Sequence, residues 1–194
     1  MNDHKGFFAM MARMKYIERW ALMRNSVSEN ICEHSLEVAM LAHGLGIIGR
    51  KRFGKDLSPE RLAMLGMYHD CTEIITGDMP TPVKYANDEL KEAYKAIEDS
   101  AAHRLLEMLP EDLRAEYESY FLPEQITPEE YRYVKAADKL SALIKCIEEE
   151  KTGNQEFRSA KQATYESLQQ MNMPEVTVFC EVFLPEYYKT LDEH

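Results

Sequence analysis

Two segments of this chain start alike and stop alike. "SPERLAMLGMYHDCTEIITG" begins at Ser58 and closes on Gly77, and "TPEEYRYVKAADKLSALIKCIEEEKTG" begins at Thr127 and closes on Gly153. A Ser or Thr oxygen satisfies the open amides of a first helical turn. A Pro in that turn loses no hydrogen bond, and Glu complements the positive end. Glycine accommodates the left-handed residue that ends a helix. Between these marks, Leu62, Leu65, Met67, Tyr68, Ile74 and Ile75 recur at helical spacing, as do Val134, Ala137, Leu140, Leu143 and Ile144. Both segments are therefore read as single helices running up to their glycines.

The rest of the chain follows the same grammar. Residues 4–16 form an amphipathic stretch with Phe7, Phe8, Met11, Met14 and Lys15 at helical spacing, followed by an irregular connection, "ERWALMRNSVSEN". A second helix begins near Cys32, with Ser28 or Asn30 as its cap. Leu36, Met40, Leu41, Leu45 and Ile48 mark its apolar face, which Val38 broadens. "GDMPTPVKY" reads as a loop too stiff for helix, because each Pro pushes the preceding residue toward extended backbone. Further helices are expected over 88–109, 111–121, 154–171 and 174–192, the last interrupted at Pro185. No long stretch alternates at strand spacing. The expectation is an all-α chain whose helices pack on one another.

At 194 residues the chain is read as one domain, 1–194, large enough for a core and a recessed site. A charged share of 29% and short apolar runs argue against a membrane-spanning chain. The N-terminal stretch lacks the apolar region and cleavage site of a signal peptide. Cys32, Cys71, Cys146 and Cys180 are far apart with no C-x-x-C pair, which fits reduced thiols and a cytoplasmic location. The formal net charge of −11 repels a nucleic-acid polymer, while a small phosphorylated ligand needs only a local cation.

The candidate chemistry lies in polar residues set within apolar helices. His34, His43, His69, Asp70 and Asp138 are metal-capable groups in such surroundings. Asp138 sits on the edge of the Val134–Ala137–Leu140 stripe, where a carboxylate is costly unless paired, hydrogen-bonded or bound to a cation. A single ion collecting His34, His69, Asp70 and Asp138 would resolve this cost at every position. Two imidazoles and two carboxylates suit a divalent transition metal such as Co, Mn, Zn, Ni or Fe. His43 lies nine residues after His34, roughly 180° away on a helix, and reads as structural. His4, His103 and His194 read as surface residues.

The ordered set His34, His69–Asp70 and Asp138 in an all-α chain resembles the HD-domain superfamily of metal-dependent phosphohydrolases. "RWALMRN", "SENICEHSLEVAMLAH", "MYHDCTEIITGDMPTPVKY" and "VKAADKLSALIKCIEE" resemble, more narrowly, the bacterial 5'-deoxynucleotidases within it. The resemblance implies an HD-domain helical bundle binding one divalent metal through His34, His69, Asp70 and Asp138. It implies that Glu73 positions or deprotonates the attacking water, and that Arg19 orients the 5'-phosphate. Trp20 would pack near the sugar, and Asp78, Thr81, Pro82, Val83 and Lys84 would line the nucleoside pocket. The implied reaction is in-line attack of a metal-bound water on a nucleoside 5'-monophosphate, with preference for 2'-deoxy substrates.

Two other readings compete. One keeps the site for a triphosphate, cyclic nucleotide or alarmone, which would need more basic groups than Arg19, Arg24, Lys84 and Lys139 supply. The other is a non-catalytic helical binding module, against which Glu73 and Arg19 argue, since a structural metal has no use for groups aimed at an open position. The aromatic C-terminal stretch "VTVFCEVFLPEYYKTL", together with the resemblance, points to a homodimer.

Overall fold

The computed structural model describes residues 5–84 and 86–193, omitting the side chain of Thr81. His4 and His194 thus lie outside the described residues. The helices are α1 (Phe7–Met11), α2 (Ile31–Phe53), α3 (Pro59–Tyr68), α4 (Glu73–Thr76), α5 (Thr81–Lys84), α6 (Asp88–Leu106), α7 (Glu111–Phe121), α8 (Pro128–Lys151), α9 (Arg158–Gln170) and α10 (Pro174–Val182). No strand occurs among the described residues, although one isolated antiparallel bridge joins Glu18 and Asn30. The all-α expectation holds.

The helix starts follow the predicted capping chemistry. Asn30 caps α2, its side-chain oxygen accepting from the amides of Cys32 and Glu33 at 3.1 Å each. Ser58 caps α3 through the Arg61 amide at 3.3 Å. Gly77 and Gly153 close their segments with φ of 75° and 85°.

Three local expectations need correction. Of the stretch 4–16, the described part does not make one α-helix: α1 tightens after Met11 into a 3-10 turn over Ala12–Tyr16, burying Phe7 and Met14 while Phe8 stays 64% exposed. The Pro-rich loop contains α5, since a Pro at the second helical position has no intrahelical bond to lose. On α2, Leu36 and Met40 are 55% and 62% exposed; the buried face runs through Val38, Leu41, Ala42, Leu45 and Ile48.

The chain divides into two compact units. The first takes the N-terminal segment to Leu22, Ser28–Ser35 and Tyr68–Thr127. Its core is Phe7, Met14, Ile31, Cys71, Ala102, Leu105, Leu106, Leu109, Phe121 and Leu122. Tyr68, Tyr117 and Phe121 add ring contacts, with Tyr68 5.2 Å from Phe121 and 6.1 Å from Tyr117. The second takes Met23–Val27, Leu36–Met67 and the chain from Pro128 onward. There α8 is central, burying Tyr133, Ala136, Ala137, Leu140, Leu143, Ile144 and Ile147 against Val38, Leu45 and Leu62. Each fully buried Leu, Ile or Val side chain among these contributes about 1.5–3 kcal/mol. Gly66 lets α3 approach α2 closely, because a Cβ there would meet Ala39 Cα at 3.0 Å.

Among the described residues, one helix is long and apolar enough to cross a membrane, Ile31–Phe53, and 56% of its most apolar window is buried within the protein.

Candidate active site

The segment that carries His69 and Asp70 is a turn. α3 ends at Tyr68, and the chain tightens through Cys71 N–H to Tyr68 O at 3.1 Å, Glu73 N–H to Asp70 O at 3.0 Å and Ile74 N–H to Cys71 O at 3.2 Å. The expectation of one helix from Ser58 to Gly77 is therefore corrected. Cys71 explains the break: it is 1% exposed and belongs to the first unit's core, so the chain must turn to bury it. Adjacent helical residues would project about 100° apart. Leaving the helix lets His69 and Asp70 converge.

Their meeting point is the first turn of α2. His34, 1% exposed, places Nε2 3.4 Å from Asp70 Oδ2, and His69 Nε2 lies 3.1 Å from the same oxygen. One ligand atom from each of His34, His69 and Asp70 falls within 4.8 Å of the others. A tetrahedral shell with bonds of about 2.0–2.1 Å sets neighbouring ligand atoms about 3.4 Å apart. The donor set and its spacing fit a divalent transition metal. Contacts with both imidazoles outweigh burial and hold the Asp70 carboxyl well below the usual range. Asp138 belongs to the second unit, on α8, where Lys135 Nζ donates to its Oδ2 at 3.2 Å.

Glu29 is the residue that sequence reading missed. Its Oε1 accepts from Arg19 Nη1 at 3.0 Å and lies 3.5 Å from His34 Nδ1, and its Oε2 accepts from Trp20 Nε1 at 2.8 Å. Burial works to raise its pKa, but His34, Arg19 and Trp20 outweigh burial and the carboxyl is lowered. The backbone assists: Arg19 N–H donates to Glu29 O at 2.8 Å, and Ile31 N–H to Ile17 O at 3.0 Å. The only available signal was an acid just before the α2 cap, with partners too dispersed to identify.

Trp20 has a φ of 60°, in the left-handed region that a bulky residue rarely enters. The Arg19 guanidinium lies 5.7 Å from its ring centroid. The stacked Arg–indole pair and the site arrangement therefore coexist.

Glu73 faces the same region from α4. It is 7% exposed, and among the described residues its Oε2 has no hydrogen-bond partner. Burial, reinforced by Asp70 and Asp78, pushes its carboxyl up to about 9. Burial also raises Asp78, outweighing the nearby Arg19 guanidinium and a hydrogen bond from the Trp20 backbone. The Asp78 loop is steadied from α6, where the Tyr94 hydroxyl lies 3.1 Å from both Gly77 O and Thr76 Oγ1. Lys84 pairs with Glu98 at 2.9 Å and lies 4.7 Å from the Tyr94 ring centroid. Pro82 and Val83 are exposed; the Thr81 side chain and Tyr85 lie outside the described residues.

A helical fold of this kind, with a His, His–Asp cluster, is the HD-domain phosphohydrolase fold. Two solved structures share it. An HD-domain phosphohydrolase from Listeria innocua superposes with a TM-score of 0.80 at 23% identity, covering 93% of this chain and 87% of that one. A cyanophage S-2L HD phosphohydrolase, solved bound to dA and one catalytic Zn2+ ion, gives 0.62 at 21% identity, covering 96% of each chain. At higher identity, the 5'-deoxynucleotidase of Vibrio cholerae is 48% identical over 187 residues, 96% of each chain. The 5'-deoxynucleotidase YfbR of Shigella boydii is 46% identical over 187 residues, 96% of this chain and 94% of that one. The profile of the YfbR-like 5'-deoxynucleotidases matches residues 6–187, and the chain belongs to that family.

Proposed function

We propose that this protein is a metal-dependent 5'-deoxynucleotidase that removes phosphate from nucleoside 5'-monophosphates, preferring 2'-deoxy substrates. The observation that carries this reading is the convergence of His34, His69 and Asp70 beside the Arg19–Glu29–Trp20 group. Asp138 is assigned as the fourth ligand. A divalent Co, Mn, Zn, Ni or Fe ion supplies Lewis acidity, lowering the pKa of water and polarising a phosphoryl oxygen.

The chain's own groups do the rest. Arg19, a fork of charged donors, grips and orients the 5'-phosphate. Glu73, buried on α4, positions or deprotonates the attacking water. Trp20 walls the sugar against a 2'-hydroxyl. Asp78, Thr81, Pro82, Val83 and Lys84 line the nucleoside pocket.

Phosphate release from dAMP and AMP tests the assignment, using chelator-stripped protein re-supplied in turn with Mn, Co, Zn and Mg. Release from dAMP, weak from AMP and lost in Asp138→Asn, is expected. No release with any metal, from folded protein, would refute it.

Three further assignments belong with this reading. The family match runs from 6 to 187, through both units, supporting a single HD domain over 1–194. The four cysteines are free thiols, as suits a cytoplasmic protein. The exposed Val182, Phe183 and Tyr188 near the C-terminus support a homodimer, which sedimentation would test.

A further inference from the structure

Glu29 touches three groups to which the proposed reaction gives three separate tasks. One oxygen serves Arg19, the phosphate-orienting cation, at 3.0 Å and faces the ligand His34 at 3.5 Å. The other accepts from Trp20, the sugar wall, at 2.8 Å. The carboxylate's side chain is 13% exposed, so water competes little for these donors.

Each contact has a distinct physical effect. A carboxylate facing His34 Nδ1 keeps the proton on that nitrogen and leaves the Nε2 lone pair for a cation. A carboxylate holding Arg19 fixes the plane of its fork before any phosphate arrives, which reduces the ordering cost of binding. The indole bond fixes a wall that must not yield if it is to reject one extra hydroxyl. Left-handed backbone is costly for a non-glycine residue, so the Trp20 conformation persists only where surrounding contacts over-determine it. Those contacts come from both the side chain and the carbonyl of Glu29, the latter through Arg19 N–H at 2.8 Å.

Resting on the 5'-deoxynucleotidase reading, we infer that Glu29 is a positioning residue that jointly sets metal affinity, phosphate orientation and discrimination against the 2'-hydroxyl. It touches no reacting atom. Its removal changes all three properties together, whereas a residue serving only the fold would change none selectively.

Glu29→Gln is the test. The amide keeps one acceptor but turns an N–H toward a donor, so it cannot serve Arg19, Trp20 and His34 at once. Trp20 is the only tryptophan, and its emission in metal-free protein reports the indole bond without any catalysis. Three results are expected: altered Trp20 emission with greater acrylamide quenching, Co2+ affinity weakened about 10–100-fold, and a dAMP-to-AMP ratio of kcat/KM narrowed at least about tenfold. A change in emission alone, with wild-type Co2+ affinity and ratio, would overturn the proposal. If Glu29→Gln does not fold by circular dichroism, Glu29→Asp, which keeps the charge but shortens the reach, is read by the same measurements. Failure of the wild type to bind Co2+ or release phosphate would instead condemn the nucleotidase reading. In that case unchanged Trp20 emission in the variant would still overturn the role given to Glu29.

Discussion

His69 and Asp70 are consecutive residues whose side chains meet, with His69 Nε2 3.1 Å from Asp70 Oδ2. Adjacent residues in a regular helix project about 100° apart, and here the tightened turn after Tyr68 carries the pair, so their contact belongs to the α3 terminus. Asp70→Asn keeps the shape and removes the charge. It is expected to weaken Zn2+ or Mn2+ binding at least about 100-fold, because an amide is a far poorer partner for a divalent ion. Thermal shift reads this directly: metal raises the wild-type Tm by mass action and leaves that of the variant unmoved.

Glu73 is expected to separate chemistry from binding. Glu73→Gln preserves volume in a site that is 7% exposed. Its kcat should fall about 10²–10⁴-fold, the usual contribution of one acid–base group, with metal affinity within a few-fold of wild type. Stopped-rate assays beside Co2+ titration would check both halves. Equal loss of metal affinity would show that Glu73 serves the ligands instead.

Trp20→Ala tests the sugar wall. Opening the wall should improve the use of AMP relative to dAMP by about tenfold or more, within the range that one steric contact supplies. Comparison of kcat/KM for the two nucleotides decides it. A ratio equal to wild type would remove Trp20 from specificity.

Stability has its own titrating group. Glu149, 1% exposed on α8, accepts from the Ser26 amide at 2.8 Å, from Asn154 Nδ2 at 2.7 Å and from the buried Lys145. Burial opposes the charge, but those donors prevail and hold its pKa at about 2, below the ordinary 4.5. The folded value is depressed, so this stabilisation is full above about 4.5 and drains away as pH falls toward about 2. Glu149→Gln should cost about 3 kcal/mol at neutral pH, by leaving Lys145 buried without its partner. The gap from wild type in urea midpoints should shrink as the medium is acidified through that window.

Much of this was legible in the sequence, for identifiable reasons. Helix starts at Asn30, Ser58 and Pro128 rest on local chemistry, so the sequence announces them. His34, His69 and Asp70 were legible because polar groups stand out in apolar stretches. The break after Tyr68 was hidden, since it depends on Cys71 entering a core built from distant helices. The exposure of Leu36 and Met40 was hidden because α2 is apolar over more than one face, and only tertiary packing selects Val38 and Leu45. Glu29 was hidden for a third reason: its identity as a partner exists only once two irregular segments lie side by side.

The backbone at Trp20, with its φ of 60°, sets stability against selectivity at a single position. In ordinary backbone, alanine is the better choice than glycine by about 0.5–1 kcal/mol. Here the ranking should invert, with Trp20→Gly unfolding at higher temperature than Trp20→Ala, because only glycine occupies that geometry without penalty. A protein optimised for thermal stability alone would carry glycine at this position, and the proposed sugar wall therefore comes at a cost in folding stability.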